Sequence, residues 1–185
     1  MNQSKRITAQ AALIEAGFTV LSRNPSANLA DVAEAAGVTR ATLHRYFPSR
    51  HALVSALALL AIKEIDHAVE QASANSMSAK AALKDIFVAL IPLGDRHGFL
   101  AHDSLEPDQL VQAEFDRMQR ETEELVAAAQ AEGAFGSDVP ISWIVRSYDY
   151  LLYAAWESVG AEDVTIKQAA ELGWRTLTSG LGADK

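Results

Sequence analysis

Residues 39–50, TRATLHRYFPSR, set threonine, arginine, histidine and tyrosine around two apolar side chains, Leu43 and Phe47, spaced by four. Residues four apart share one face of a helix, so this pair turns toward a core and leaves Arg40, Thr42, His44, Arg45 and Tyr46 outside. The outward groups donate and accept hydrogen bonds and two are permanent cations, a chemistry suited to base edges and phosphate oxygens. A second stretch, GDRHGFLAHDSLEPD at 94–108, holds His97, His102, Asp95, Asp103 and Asp108, residue types that can ligate zinc. Their spacing fits no H-E-x-x-H or related arrangement, so the stretch reads as a polar corner between helices, and neither a metal nor a cofactor is expected. The run RMQRETEELVAAA has its charges three and four apart and reads as a solvated helix face.

Catalytic chemistry is poorly represented. The 185 residues include no cysteine, no Gly-rich phosphate loop and no convincing nucleophile and base pair, so no enzymatic activity is expected. A hydrophobic content of 49% is enough for a substantial core. No apolar run reaches the length of about 18 residues needed to span a membrane. The start, MNQSKRITAQ, lacks the basic-then-apolar layout of a secretory signal, and a cytoplasmic location is expected. The net charge of −8 alone would disfavour a nucleic-acid partner, because phosphate repels an acidic surface. Its distribution reverses that reading. Residues 1–50 carry six basic and three acidic side chains, a net +3, whereas 51–185 carry ten and twenty-one, a net −11.

The elements that must position these groups are all helices, because no stretch combines strand alternation with β-branched enrichment. The chain is expected to be all-α. A first helix over 4–22 places Ile7, Ala11, Ile14, Phe18 and Leu21 on one stripe, and Asn24-Pro25-Ser26 ends it. Asn28 suits the cap of a helix about two turns long, with Leu29, Val32, Ala33 and Ala36 inward and Gly37 as the left-handed residue that stops it. Thr39 can cap the next helix. Pro48 suits the first turn of a long helix reaching residue 74. Further helices are predicted near 78–93, 98–104, 107–131, 140–160 and 164–179, with breaks at Asn75, Gly94, Glu106-Pro107, Gly133 with Gly136, and Gly160, giving about nine helices.

Two short helices joined by a tight Gly-containing turn, the second polar on its outer face, have the layout of a helix-turn-helix, whose second helix enters the major groove. In their sequence these residues resemble the TetR family of one-component bacterial transcriptional regulators. The likeness rests on the stripe from Ile7 to Leu21, LADVAEAAGV at 29–38, TRATLHRYF at 39–47 and PSRHAL at 48–53, and it covers about the first 55 residues. It implies a three-helix DNA-binding head over 1–50 and a ligand-binding and dimerisation domain over 51–185. It also implies a homodimer on a palindromic operator in double-stranded DNA, most often a repressor released by a small-molecule inducer. By motif position, base contacts fall to Thr39, Arg40, Ala41, Thr42 and His44, and DNA-backbone contacts to Arg45, Tyr46 and Arg50. Lys5 and Arg6 read either as an arm making a weak phosphate contact, the favoured reading, or as merely a charged start. The family usually has glycine where this chain has Ala41 and tyrosine where it has His44.

In the larger part, PISWIVRSYDYLLYAAWESVG at 140–160 has one apolar stripe from Ile141 to Val159 and a second face with Trp143, Ser147, Tyr150 and Ala154. A helix apolar on two sides needs two packing partners. Ile166, Ala170, Gly173 and Leu177 form a small-residue stripe on the last helix, where another helix could approach closely. These two helices are therefore expected to form the dimer interface. For a largely apolar effector, the residues on the helices that surround the pocket in the resembling family are Phe87, Leu90, His97, Phe99, Leu100, Met118, Trp143, Ser147 and Tyr150, each of which could equally be core. Two other functions fit an all-α chain, a helical protein-interaction module and a small helical enzyme without DNA binding. Binding that weakens steeply with salt would favour DNA over protein as the partner.

Overall fold

The structure, a computed structural model, describes residues 8–100 and 109–180. Those residues form nine α-helices and one short 3-10 turn, and no strand lies among them. The order is α1 Ala9–Arg23, α2 Leu29–Ala35, α3 Arg40–Tyr46, α4 Arg50–Ser73, α5 Ala79–Leu90, the 3-10 turn Ile91–Leu93, α6 Gly94–Leu100, α7 Gln109–Ala131, α8 Ile141–Gly160 and α9 Ile166–Gly180.

Each short helix of the N-terminal part has a built start. Asn28 accepts from the amides of Ala30 and Asp31 while the Asp31 carboxylate accepts from the Asn28 amide at 2.7 Å, a reciprocal capping box. Gly37, at φ +65, turns the chain where a side chain would be strained. Thr39 then caps α3 by accepting from the Thr42 amide. Leu13, Phe18, Leu21, Val32, Leu43 and Phe47 close the small core beneath α2 and α3, and burying each such side chain contributes about 1.5–3 kcal/mol. Two of the expected starts move. Thr8, extended and accepting from the Ala11 amide, begins α1 at Ala9, and residues 4–7 lie outside the described ones. Ser49 rather than Pro48 adjoins α4, because its hydroxyl accepts from the Ala52 amide and leaves proline one position outside the cap.

The rod α4 joins this head to the bundle: Leu57 packs against Gly17 of α1, while α5 and α7 pack along the rod. Arg117 of α7 ties that helix to the rod by bonding Asp66 at 2.5 Å beside its own neighbours Glu114 and Glu121. This is the solvated charged face expected of that helix.

The expected break at Gly94 and the helix over 98–104 are corrected. The chain passes from α5 through the proline-containing 3-10 turn directly into α6, which begins at Gly94, and residues 101–104 lie outside the described ones. Gly94 is required for packing, since a Cβ there would stand 2.0 Å from Trp156 Cγ on α8. The small-residue stripe of α9 is also corrected. It accepts a helix of its own chain, with a Gly173 Cβ falling 2.5 Å from Phe87 Cζ on α5, and Ala170 and Leu177 beside it are buried within the same core.

Candidate nucleic-acid interface

On α3, Leu43 is 1% exposed and Phe47 caps the helix from within the core, so one side of the helix is fixed. Arg40, Ala41, His44, Arg45 and Tyr46 are exposed on the other side, and Thr42 is half-buried. The Thr39 and Thr42 hydroxyls lie 3.0 Å apart, which holds both at the N-terminal end of the helix. The Arg45 guanidinium sits 5.1 Å from the centre of the Tyr46 ring, a cation–π contact that aligns the two outward side chains. A shallow groove of about 370 Å³ runs between Asn28 and Leu29 on one wall and Arg40, His44 and Arg50 on the other.

Arg50 is placed differently from the rest. Its guanidinium donates to the carbonyls of Pro25 and Ala27, in the turn between α1 and α2, and so braces the head from the start of α4. Pro25 and Ala27 are thereby tied to the start of α4, immediately before Asn28, the N-cap of α2. Lys5 and Arg6 lie outside the described residues.

The family model for bacterial regulatory proteins of the tetR family matches residues 13–57, the segment that builds this braced pair of helices. The HTH-type transcriptional repressor LfrR of Mycolicibacterium smegmatis is 31% identical over 171 residues, covering 92% of this chain and 88% of that protein. The chain belongs to the tetR family. It is a ligand-responsive DNA-binding transcriptional regulator, and proteins of this family are not enzymes. The crystal structure of LfrR from Mycobacterium smegmatis in complex with proflavine superposes with a TM-score of 0.72 at 29% identity, covering 94% of this chain and 96% of that one. The MbdR regulator from Azoarcus sp. CIB has the same fold, with a TM-score of 0.70 at 21% identity over 94% and 99% of the two chains.

In the tetR-type body, the residues named above for an effector site separate into two groups. Phe87, Leu90, Phe99 and Leu100 are buried, Met118 is half-buried, and Phe87 meets the Tyr148 ring edge-on at 5.2 Å. Tyr148 donates to the Leu83 carbonyl, and its burial pushes the phenol well above its ordinary pKa, so it stays neutral. His97 faces Asp149 of α8, with Nε2 3.5 Å from Oδ1, and its side chain is 23% exposed, unlike the buried apolar group. Trp143 and Tyr150 do not join it. They are 59% and 76% exposed on the far side of α8, with Ser147 half-buried between them. Of the possible metal ligands, Asp95 bonds Arg96, while His102, Asp103 and Asp108 lie outside the described residues. No group of three metal-ligating side chains occurs among the described residues.

Sequence reasoning missed the charged contacts that hold the helices in place. Arg96 bonds Glu15 and Glu64, partners 81 and 32 residues away, and Glu132 accepts from the amides of Ala79 and Lys80 at the start of α5. Burial pulls the Arg96 guanidinium down in pKa, but the Glu64 bond and the charges of Asp95 and Glu15 outweigh it and the net direction is up. No local pattern marks such pairs, because their partners meet only after the bundle closes.

Proposed function

We propose that the chain acts as a homodimeric repressor that places α3 of each subunit in successive major grooves of a palindromic operator. The observation that carries this reading is the α3 face itself: five exposed side chains able to contact DNA, on a helix whose other side is fixed by Leu43 and Phe47. Thr39, Arg40, Ala41, Thr42 and His44 lie toward the groove, where the Ala41 methyl suits a thymine methyl and His44 a base acceptor or phosphate. Arg45 and Tyr46 lie at the sugar-phosphate backbone. Arg50 acts on DNA indirectly, by holding the turn that supports α2. The net +3 of residues 1–50 draws the head to phosphate, while the net −11 of the remainder keeps the body off it.

The dimer face in this reading is the outer side of α8, where Trp143, Tyr150 and Ala154 are exposed, together with the adjacent side of α9 with Leu172. Large rings left in water there are stabilised by a partner's apolar surface at about 25 cal/mol per Å² buried. The head over 1–50 and the body over 51–185 are the two functional units, and with no helix among the described residues able to cross a membrane, a cytoplasmic site of action is proposed.

The effector is proposed to be a largely apolar, planar molecule carrying positive charge. LfrR binds proflavine in its crystal structure, and here Phe87, Phe99 and Leu100 are buried and Met118 is half-buried in a body of strongly negative net charge. Release is a population shift, in which the ligand binds better to a form whose α3 helices are wrongly spaced for the operator. The test is selection of duplexes from a random pool, then fluorescence anisotropy of the selected and a scrambled duplex at two salt concentrations, with and without proflavine. Selective, salt-sensitive binding reversed by proflavine is expected. Equal binding to both duplexes would overturn the regulator reading, and selective binding untouched by proflavine would overturn the effector class.

A further inference from the structure

The head is carried on α4, a helix without glycine or proline from Arg50 to Ser73. One rod fixes the distance between head and body, but it leaves the head free to lean as the rod bends; a second attachment sets the angle. That second attachment is made by α6, and its polar contacts converge on one side chain, Arg96. Arg96 Nη2 lies 2.6 Å from Glu15 Oε1 on α1, Nε lies 2.9 Å from Glu64 Oε2 on α4, and Nη1 lies 2.5 Å from its neighbour Asp95. Its guanidinium carbon is 4.4 Å from the centre of the Phe18 ring, which in turn meets Phe99 of α6 edge-on at 5.6 Å. One guanidinium therefore touches the head, the rod and the body. We propose that Arg96 is a positioning residue for DNA binding, whose bond to Glu15 sets the angle of the head and, in the dimer, the spacing of the two α3 helices. This rests on the dimeric regulator reading given above.

The three carboxylates around Arg96 are not equivalent. The Asp95 and Glu64 side chains are 18% and 35% exposed, whereas that of Glu15 is 59% exposed. An ion pair in contact with water is weak and screened by salt. Glu15 is thus the member that lets go first, and Arg96 stays with Glu64 and Asp95 on the body. Opening the joint this way strands no buried charge, because Glu15 returns to solvent and the guanidinium keeps two partners. Phe18, fully buried against Phe99, keeps the surfaces together, so the head can turn at this point without coming away. On the other side of α6, Gly94 lies under Trp156 and His97 faces Asp149, so any shift of α8 is felt by the helix that holds the latch.

The test compares full-length wild type with Glu15→Gln, Glu15→Ala, Glu15→Lys and Arg96→Gln on the selected operator and on versions with one or two base pairs inserted or removed at its centre. The readout is the preference for the cognate spacing, which a residue that merely stabilises the fold would not move. Wild type is expected to prefer the cognate duplex by about tenfold or more. Glu15→Ala should bind it about two- to fivefold more weakly, the range of an exposed ion pair, and lose most of the preference. Glu15→Gln, which keeps an acceptor, should lie between wild type and Glu15→Ala, and Glu15→Lys, which repels the guanidinium, should lose the most. Melting temperatures of the Glu15 variants should stay within about 2 °C of wild type. Arg96→Gln should show the same loss of preference. A spacing preference unchanged in Glu15→Ala and Glu15→Lys would overturn the latch. Failure of the wild type itself to discriminate spacing would overturn the dimeric reading, and the latch with it.

Discussion

At the scale of single residues, the polar face of α3 was legible because its spacing and its neighbours' apolarity both belong to one short helix. Arg40→Ala and Thr42→Ala should each cost about 1–3 kcal/mol of operator affinity while leaving the melting temperature and oligomeric state unchanged, as anisotropy and calorimetry would show. Arg50 was legible as a cation near the motif but not in its contacts, because the Pro25 and Ala27 carbonyls it bonds lie on the far side of a turn. Arg50→Met should therefore lower thermal stability, by about 1–3 kcal/mol for charged bonds lost to half-buried carbonyls, and leave the salt dependence of DNA binding unaltered. A fall of about one in the salt slope with no change in melting would instead assign Arg50 to a phosphate. Glu132 is a similar case. The amides of Lys80 and Ala79 hold its carboxylate pKa below the ordinary 4.5. A depressed folded pKa stabilises the fold above the ordinary value and loses that effect as pH falls through the folded one. Glu132→Gln should thus lower the melting temperature at neutral pH, and the difference should vanish in acid.

At the scale of helices, periodicity and caps gave the number and kind of elements, and the errors fall where tertiary contact overrides local signals. Gly94 carries the signature of a break, yet it sits at the start of α6 because Trp156 occupies the space a side chain would need. Gly94→Ala should destabilise the protein by about 1–3 kcal/mol through overpacking, measurable by denaturant titration, whereas an ordinary glycine to alanine change inside a helix is stabilising. Gly173 misled in the same way. Its stripe announces a close helix approach, but sequence cannot say whether the approaching helix belongs to the same chain, and here it is α5 with Phe87.

At the scale of the whole molecule, the reversal of charge between head and body and the two-sided apolarity of α8 were both visible in the sequence. What was not visible is which rings point outward: Trp143 and Tyr150 read equally well as pocket or interface, and only the packed bundle shows that both are exposed. Tyr150→Glu, placing a charge on the proposed dimer face, should shift the protein toward monomer in sedimentation experiments and weaken operator binding in step, since a single head holds half the contacts. The latch at Arg96 belongs to this scale as well, because it joins residues 15, 64 and 96, three positions with no shared local pattern. The most direct test of the account is a hydroxyl-radical footprint of the full-length protein on its selected duplex. Two protected patches related by a dyad, with centres one helical turn of about 10 base pairs or a multiple of it apart, are the result predicted for paired α3 helices. A single patch, or uniform protection along the duplex, would contradict it.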